Sequence, residues 1–232
     1  MTLRGNAFMA IWHDVRPEAE HEYSLWHTRE HMPERVGVPG FERGRRYVAW
    51  NLEKYRYFTL YEGTTLDVFR SSAYREHLNA PTLWTSRLQP HYLNFVRSAC
   101  STIASLGTGI GGALATIRLN FESGGAEDFR RGAGTLAEQI LKLDGVSGAH
   151  VGNAEPAVTR VRTKETELRQ LTGEDIFDAL VMVEGIGSRE IAAVMSAIER
   201  ILAASGHLIA SSESGIYDLA YALTPGEALF RR

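Results

Sequence analysis

The first half of the chain alternates between apolar stretches of strand character and amphipathic stretches of helical period. Two stretches place apolar residues at helical spacing, and the first begins at Pro17 among acidic residues, which is a helix-start signal. Four other stretches are rich in β-branched and aromatic residues and predict strands. We therefore expect strands over 7–15, 41–50, 55–63 and 91–100, and helices over 17–32 and 65–79.

The second half repeats this order. The turn Pro39-Gly40-Phe41 corresponds to Asp144-Gly145-Val146, and the strand-ending pair Glu62-Gly63 corresponds to Glu184-Gly185. The spacing between the two landmarks is longer in the second half, and a charged, helix-prone insertion at about 158–174 accounts for the difference. The predicted strands are 112–121, 145–154, 175–185 and 215–223, and the predicted helices are 126–143 and 188–205.

Strand, helix, strand, strand, helix, strand is the split βαβ order of ferredoxin-like folds. Helices cover only one face of such an antiparallel sheet, so two sheets can cover each other's open faces. We therefore expect an α+β protein of two tandem ferredoxin-like βαββαβ modules, whose antiparallel sheets pack into an internal dimeric α/β barrel. The expected boundaries are 1–104 for the first module, 105–112 for a glycine-rich linker and 113–232 for the second module.

Composition narrows the class of protein. The chain is 44% hydrophobic and 23% charged with a net charge of −3, which is typical of a globular protein and does not favour nucleic acid or an anionic membrane surface. Cys100 is the single cysteine, so a reducing compartment fits. No signal-peptide pattern and no run of about 18 apolar residues is present in the sequence. We expect a cytoplasmic protein that binds a small molecule, with a homodimer as a candidate assembly.

His27, Glu30 and His31 match the pattern H-x-x-E-H, which in one class of metalloproteases places two zinc ligands and a general base on a helix. A catalytic zinc needs a third protein ligand, and no other histidine is marked as one. Pro33 follows closely and predicts that the helix ends there. Zinc-dependent hydrolysis is therefore the weakest of three functional hypotheses, and no metal or cofactor is expected.

The wider motif resembles the EthD-like branch of the dimeric α/β-barrel superfamily. The resemblance rests on five stretches of the first half: Trp26, Glu30-His31, Pro33-Glu34, Pro39-Gly40-Phe41 and Arg45-Arg46-Tyr47. It implies ferredoxin-like modules that form a barrel, with a small-molecule pocket between sheet and helices. It leaves the reaction open, because relatives include cofactor-free monooxygenases, polyketide cyclases and lyases.

The leading hypothesis is a cofactor-independent enzyme, of monooxygenase, cyclase or lyase type, that acts on a small aromatic or polyketide-like compound. Histidine titrates near neutral pH, so His31 is predicted as the acid or base and Glu30 as its assistant. A helix C-terminus would favour the protonated form of His31. Contacts with an acidic or phenolic substrate are predicted for five residues: His13, His27, Arg45, Arg46 and Tyr47.

The alternative is a non-catalytic small-molecule binding or assembly protein, in which Glu30 and Arg46 form a structural ion pair between helix and strand. Counted back from the glycine turn, Gly132, Thr135 and Leu136 of the second half take the places of His27, Glu30 and His31. The second half therefore lacks the cluster, and we expect one site per chain.

Overall fold

The computed structural model describes residues 3–159, 162–169 and 177–228. Of the predicted insertion, residues 160–161 and 170–174 lie outside the described residues. All the strand pairs are antiparallel, which confirms a mixed α/β protein built on antiparallel sheet. The strands are β1 (Ala7–Val15), β2 (Phe41–Val48), β3 (Tyr57–Gly63), β4 (Tyr92–Gly107), β5 (Ala113–Phe121), β6 (Val146–Ala154), β7 (Ala179–Gly185) and β8 (Ile209–Leu223).

Helices and short turns connect the strands. The α-helices are α1 (Glu20–Trp26), α2 (Met32–Val36), α3 (Ser72–Asn79), α4 (Leu83–Leu88), α5 (Gly125–Leu141), α6 (Pro156–Thr159), α7 (Lys164–Arg169), α8 (Ser188–Ala204) and α9 (Pro225–Ala228). The sequence did not predict α4, which begins where the Thr82 hydroxyl accepts a hydrogen bond from the Thr85 amide at 3.0 Å. Within the described residues, each helix is too short or too polar to cross a membrane.

Hydrogen bonds join the strands into one closed barrel in the order β1-β3-β2-β8-β5-β7-β6-β4. The first four strands stand in the order β4-β1-β3-β2 and the last four in the order β8-β5-β7-β6, so both halves show the same arrangement. The pairs β2–β8 and β4–β6 join the two halves. Gly40 and Gly145, the turn glycines that align in sequence, have φ values of 93° and 81°, which only glycine adopts readily.

Strand β4 is longer than the sequence predicted. It runs to Gly107 and pairs with β6 beyond residue 104, so the segment 105–107 is strand rather than linker. Gly107 has a φ of 116°, and a Cβ atom there would lie 2.2 Å from the carbonyl oxygen of Ser147. The small residues that suggested a flexible connection instead permit close approach of two strands.

Alternate residues of each strand point to opposite faces of the sheet. Phe8, Trp12 and Phe58 are fully buried in the apolar cluster that fills the barrel interior. Burying such a ring stabilises the fold by about 1.5–3 kcal/mol. On the other face of the sheet, Met9 of β1 and Tyr61 of β3 point outward and pack under the helices of the first half.

A buried ion network lies within the barrel. Arg43 makes two bonds of 2.8 Å to the Glu62 carboxylate. Arg45 contacts Glu62 at 3.0 Å and Glu184 at 2.7 Å, and His150 lies 3.3 Å from Glu184. Burial alone would raise the pKa of Glu184, but His150 and Arg45 outweigh it and lower this pKa to about 2. Glu62 and Glu184, which take corresponding places at the ends of aligned strands in the sequence, therefore both contact Arg45.

Candidate functional site

The helix that carries the histidines does not end at Pro33. It passes from α1 through a π-helical turn, His27–His31, into α2 and ends at Val36. In this turn the Met32 amide donates to the carbonyl of His27, five residues earlier. A proline has no amide hydrogen, and its ring clashes with the carbonyl four residues earlier in a regular α-helix. The wider turn just before Pro33 lets the helix continue, so the predicted helix end was wrong.

The π-helical turn places His27 and His31 side by side on the buried face. Their ring centroids are 5.3 Å apart, and Trp26 lies 4.3 Å from the ring of His31 at an angle of 32°. The exposed fractions of His27 and His31 are 2% and 9%. His31 is thus in the middle of the helix and in the core, not at an exposed helix end.

His13 reaches the same place from β1. Its Nε2 atom lies 2.8 Å from the Tyr23 hydroxyl, and its ring stacks on Tyr57 with centroids 5.5 Å apart. Strand alternation turns His13 toward the helices, whereas its neighbour Trp12 points into the barrel. The sheet and the first helix therefore bring together three histidines that the sequence had singled out.

These histidines line a cavity of about 30 Å³ between the outer face of the sheet and the helices. That volume is close to one water molecule's share of the liquid. Within the described chain, several lining side chains have a buried polar atom without a hydrogen-bond partner, among them the Nδ1 atoms of His13, His27 and His31, the Tyr61 hydroxyl and the Gln89 carbonyl oxygen. A buried polar atom without a partner is costly, so this lining suits a polar ligand.

Burial and nearby cations keep the imidazoles neutral. Burial, and then Arg169 and Arg46, lower the pKa of His13 to about 3. The pKa values of His27 and His31 are also well below the ordinary value, first because of burial and then because of Arg46 and Arg35 respectively. The helix-end argument that favoured a protonated His31 was wrong, because the ring lies among cations in the core. Each ring can accept a proton.

The second half also contributes to this cavity. Glu165 and Arg169 of α7 lie in its lining, and Glu165 pairs with Arg35 of α2. Burial opposes the charge of Arg35, but the Glu165 and Glu34 carboxylates outweigh it and raise the pKa of Arg35. Arg97 of β4 completes the cationic part of the lining and donates to the carbonyl of Thr159 at 3.1 Å. Sequence reasoning missed these residues, and the only signal for them was the position of the insertion.

Glu30 does not face the histidines. Its carboxylate accepts hydrogen bonds from Trp26 Nε1 at 3.1 Å, the Thr82 hydroxyl at 2.6 Å and the Thr85 hydroxyl at 3.1 Å. Glu30 therefore fixes the helix to α4. The alternative ion pair with Arg46 is not formed either, because Arg46 instead donates to the carbonyl of Ser24 at 3.4 Å.

The predicted substrate arginines lie on opposite faces of β2. Arg45 and Tyr47 point into the barrel, where the Arg45 guanidinium donates to the Tyr47 hydroxyl at 2.9 Å and pairs with Glu184. Arg46 points to the helices, with its guanidinium carbon 5.9 Å from the centre of the Tyr23 ring. Of the three residues, only Arg46 is on the side of the histidine cavity.

The donor set does not suit a catalytic zinc. Within residues 3–159, 162–169 and 177–228, no group of three or more His, Cys, Asp or Glu side chains is arranged to hold a metal ion. Glu30, the base that the zinc hypothesis requires, is turned away toward α4. The H-x-x-E-H pattern is thus satisfied in sequence but not in geometry.

No family model and no curated protein matches the chain. Solved structures with a similar fold include an anthrone oxidase-like protein, at 10% identity and a TM-score of 0.66, covering 96% of this chain and 94% of that one. A candidate monooxygenase from Fusobacterium nucleatum follows at 9% identity and a TM-score of 0.62, covering 96% of each chain. A candidate chlorite dismutase has 10% identity and a TM-score of 0.58, covering 98% of this chain and 99% of that one. At such identities the likeness shows the fold alone.

Proposed function

We propose that this protein is a cofactor-independent enzyme that removes a proton from a small aromatic or polyketide-like compound. The observation that carries the proposal is the convergence of three buried imidazoles of lowered pKa on one cavity lined by arginines. Perturbed titratable groups that meet in a cavity are typical of catalytic sites. The name of one protein with a similar fold, an anthrone oxidase-like protein, agrees with this choice of substrate class.

His31 and His27 are the proposed bases. Their Nδ1 atoms are buried and unpartnered within the described residues, so in the tautomer with its hydrogen on Nε2 each ring offers Nδ1 as an acceptor to a substrate hydroxyl or activated C–H group. His13 is held by Tyr23 and orients the substrate. The proton passes from substrate to imidazole, and the electron pair stays on the substrate as a phenolate, an enolate or a stabilised carbanion.

A low pKa weakens an imidazole as a base, but the arginines act on both partners of the transfer. After burial, the positive field of the arginines is the next cause of the low histidine pKa values, and the same field stabilises the anion that a bound phenol leaves behind. Once the anion has formed, its charge raises the pKa of the protonated ring beside it. Burial opposes the charged form of both partners, as the raised pKa values of the cavity phenols Tyr61 and Tyr92 show, so the proposal requires the arginines to offset that cost.

The proposal also includes the relation between the two halves of the chain. We infer that the two halves are tandem ferredoxin-like modules forming an internal dimeric α/β barrel of the EthD-like branch. The shared strand order and the aligned glycine turns support the inference. Leu136, the counterpart of His31, is buried in the apolar cluster of the second half, which supports one site per chain. A cytoplasmic homodimer is part of the proposal, and light scattering of the purified chain tests the assembly.

The small cavity favours a second candidate, a binding or assembly protein without turnover. A volume of about 30 Å³ is far below the roughly 300 Å³ of an ordinary ligand pocket. Catalysis therefore requires the cover formed by α7 to move, whereas a structural role for the histidines does not.

Turnover of a hydroxyanthrone separates the two candidates, because this phenolic compound has an acidic C–H group and its oxidation consumes dioxygen. The measurements are oxygen uptake and product formation, with wild type, His31→Gln, His27→Gln and the control His21→Gln, a substitution at an exposed position of α1. We expect loss of about 10²-fold or more in kcat for the first two variants and wild-type rates for the control. Equal rates in all four proteins, or no conversion of any phenolic substrate by the wild type, would support the binding protein instead.

A further inference from the structure

Two arginines at the histidine cavity carry charge that the described residues do not balance. Arg97 comes from β4 and Arg169 from α7, and their exposed fractions are 7% and 8%. Both line the cavity, whose single lining carboxylate among the described residues is Glu165. Because Glu165 pairs with Arg35, it is already engaged.

The guanidinium groups have unused donors. In the part of the chain that the structure describes, Arg97 Nε and Arg169 Nη2 are buried without a hydrogen-bond partner. Arg97 donates through Nη2 to the carbonyl of Thr159 at 3.1 Å, a neutral acceptor, and among the described residues no carboxylate pairs with it. The guanidinium carbon of Arg169 lies 4.1 Å from the centre of the Phe95 ring, so this group is stacked on an aromatic face rather than paired with a carboxylate.

Such an arrangement is costly in the absence of an anion. Burial, followed by the charge of Arg97, lowers the pKa of Arg169 to about 10. Two buried like charges with free donors are stabilised when a planar anion accepts from both. A carboxylate suits two guanidinium groups with free donors because such groups bind it through parallel N–H···O bonds.

We propose that Arg97 and Arg169 form a subsite for the carboxylate of the substrate, which makes the substrate class an aromatic acid with a phenol near its carboxylate. The inference rests on the proposed function, because it names the substrate of that same site. The cavity of about 30 Å³ admits the aromatic ring only when α7 moves; the arginines then hold the carboxylate, and the phenol lies toward the histidines. Since Arg97 belongs to the first half and Arg169 to the second, both halves of the chain bind the carboxylate, whereas the proton-accepting histidines come from the first half.

Binding can be measured without turnover. The probes are 2-hydroxybenzoate, the neutral analogue 2-hydroxybenzamide and inorganic sulfate, each titrated calorimetrically into the full-length protein. We expect 2-hydroxybenzoate to bind about tenfold or more tightly than the amide, as lost charge-assisted hydrogen bonds imply. Arg97→Gln and Arg169→Gln should each abolish this preference. The matched control is Arg162→Gln, because the Arg162 side chain precedes α7 and is 85% exposed.

The stability of the ligand-free variants separates a binding role from a structural one. If Arg169 serves the ligand, Arg169→Gln removes an unbalanced buried charge, and the ligand-free protein should be as stable as wild type or more stable. Only the stabilisation by 2-hydroxybenzoate should disappear. Arg169→Lys, which keeps the charge but loses the planar fork, should bind with intermediate affinity and serves if the Gln variant fails to fold.

Equal affinity for 2-hydroxybenzoate and 2-hydroxybenzamide would overturn the inference. Sulfate that binds as tightly as 2-hydroxybenzoate would also overturn it, because that result indicates a site for inorganic anions. These results would leave proton transfer by the histidines untouched. Conversely, if the acid binds through both arginines but no phenolic compound is converted, the subsite stands and the proposed catalytic function fails.

Discussion

Arg45 and Glu184 lie 139 positions apart in the chain, yet their side chains meet inside the barrel with 2.7 Å between Nη1 and Oε1. Both side chains are fully buried, so the contact connects the two halves through a desolvated ion pair. Such a pair adds little net stability compared with apolar packing, but removal of one partner is costly because the other charge is left behind.

Glu184→Gln should therefore lower the free energy of unfolding by about 3 kcal/mol, as is typical of a broken buried pair. The remaining Glu62 carboxylate then faces both Arg43 and Arg45. The measurement is urea denaturation at neutral pH. Glu127→Gln is the control, because this carboxylate is 58% exposed and its pair with Arg130 should contribute less than about 1 kcal/mol. Arg45→Met added to Glu184→Gln should recover part of the loss, and no recovery would contradict the argument.

Acid should destabilise the protein through the cavity histidines. The pKa values of His13, His27 and His31 are lowered in the folded state, so the unfolded chain binds protons first as the pH falls below about 6.5. Their contribution is fully present above that pH and is lost progressively below it. We expect a loss of about 2 kcal/mol for each histidine between pH 7 and pH 5.

Urea denaturation across this pH range measures the effect. His13→Gln should reduce the pH dependence by about one third, since one of the three proton acceptors is removed. The exposed His21 provides the control variant, His21→Gln, which should reproduce the wild-type curve. A wild-type stability that stays constant from pH 7 to pH 5 would show that the rings are not neutral in the folded state.

Glu165→Gln should loosen the cover over the cavity. The variant breaks the pair that holds α7 to Arg35, while Arg35 keeps its 3.2 Å contact with Glu34. Hydrogen exchange of the α7 amides should accelerate by about tenfold or more. Glu167→Gln on the same helix is the matched control, because its contact is with the exposed Arg162. Equal acceleration in both variants would mean that the ion pair does not hold the helix.

Cys100 should be unreactive in the folded protein. It is fully buried, and burial raises the pKa of its thiol, so both access and thiolate formation are suppressed. A disulfide reagent should label it rapidly in denaturant and very slowly under native conditions. Since Cys100 is the single cysteine, the native labelling rate reports opening of the barrel interior. Rapid labelling of the native protein would place the thiol outside the core.

The sequence predicted the strands and long helices because their periods are strong, and it singled out His13, His27 and His31, which the structure brings to one cavity. It failed where tertiary structure overrides local signals. Pro33 was interpreted as a helix end, but the π-helical turn accommodates it. Glu30 was assigned to the histidines, although Thr82 and Thr85, at the start of a helix that was not predicted, donate hydrogen bonds to it.

Strand alternation puts the adjacent residues Arg45 and Arg46 on opposite faces of β2, but alternation alone does not tell which face lines the histidine cavity. Arg45 faces a packed barrel interior, and its partner Glu184 comes from a strand of the other half. The position of Arg169 in the lining of the histidine cavity could not be predicted, for a similar reason. The local sequence does not show that the insertion between β6 and β7 contacts the first helix. The closed order of strands is what brings the insertion and that helix together.

The length of β4 decides how the chain can be divided. This strand pairs with β1 up to Ser101 and with β6 from Cys100 onward, so one uninterrupted segment belongs to both halves of the sheet. A cut near residue 104 would expose unpaired edges on both pieces, and edges of this kind favour aggregation. The two halves should therefore melt as a single cooperative unit, and fragments expressed alone should be insoluble unless they are produced together.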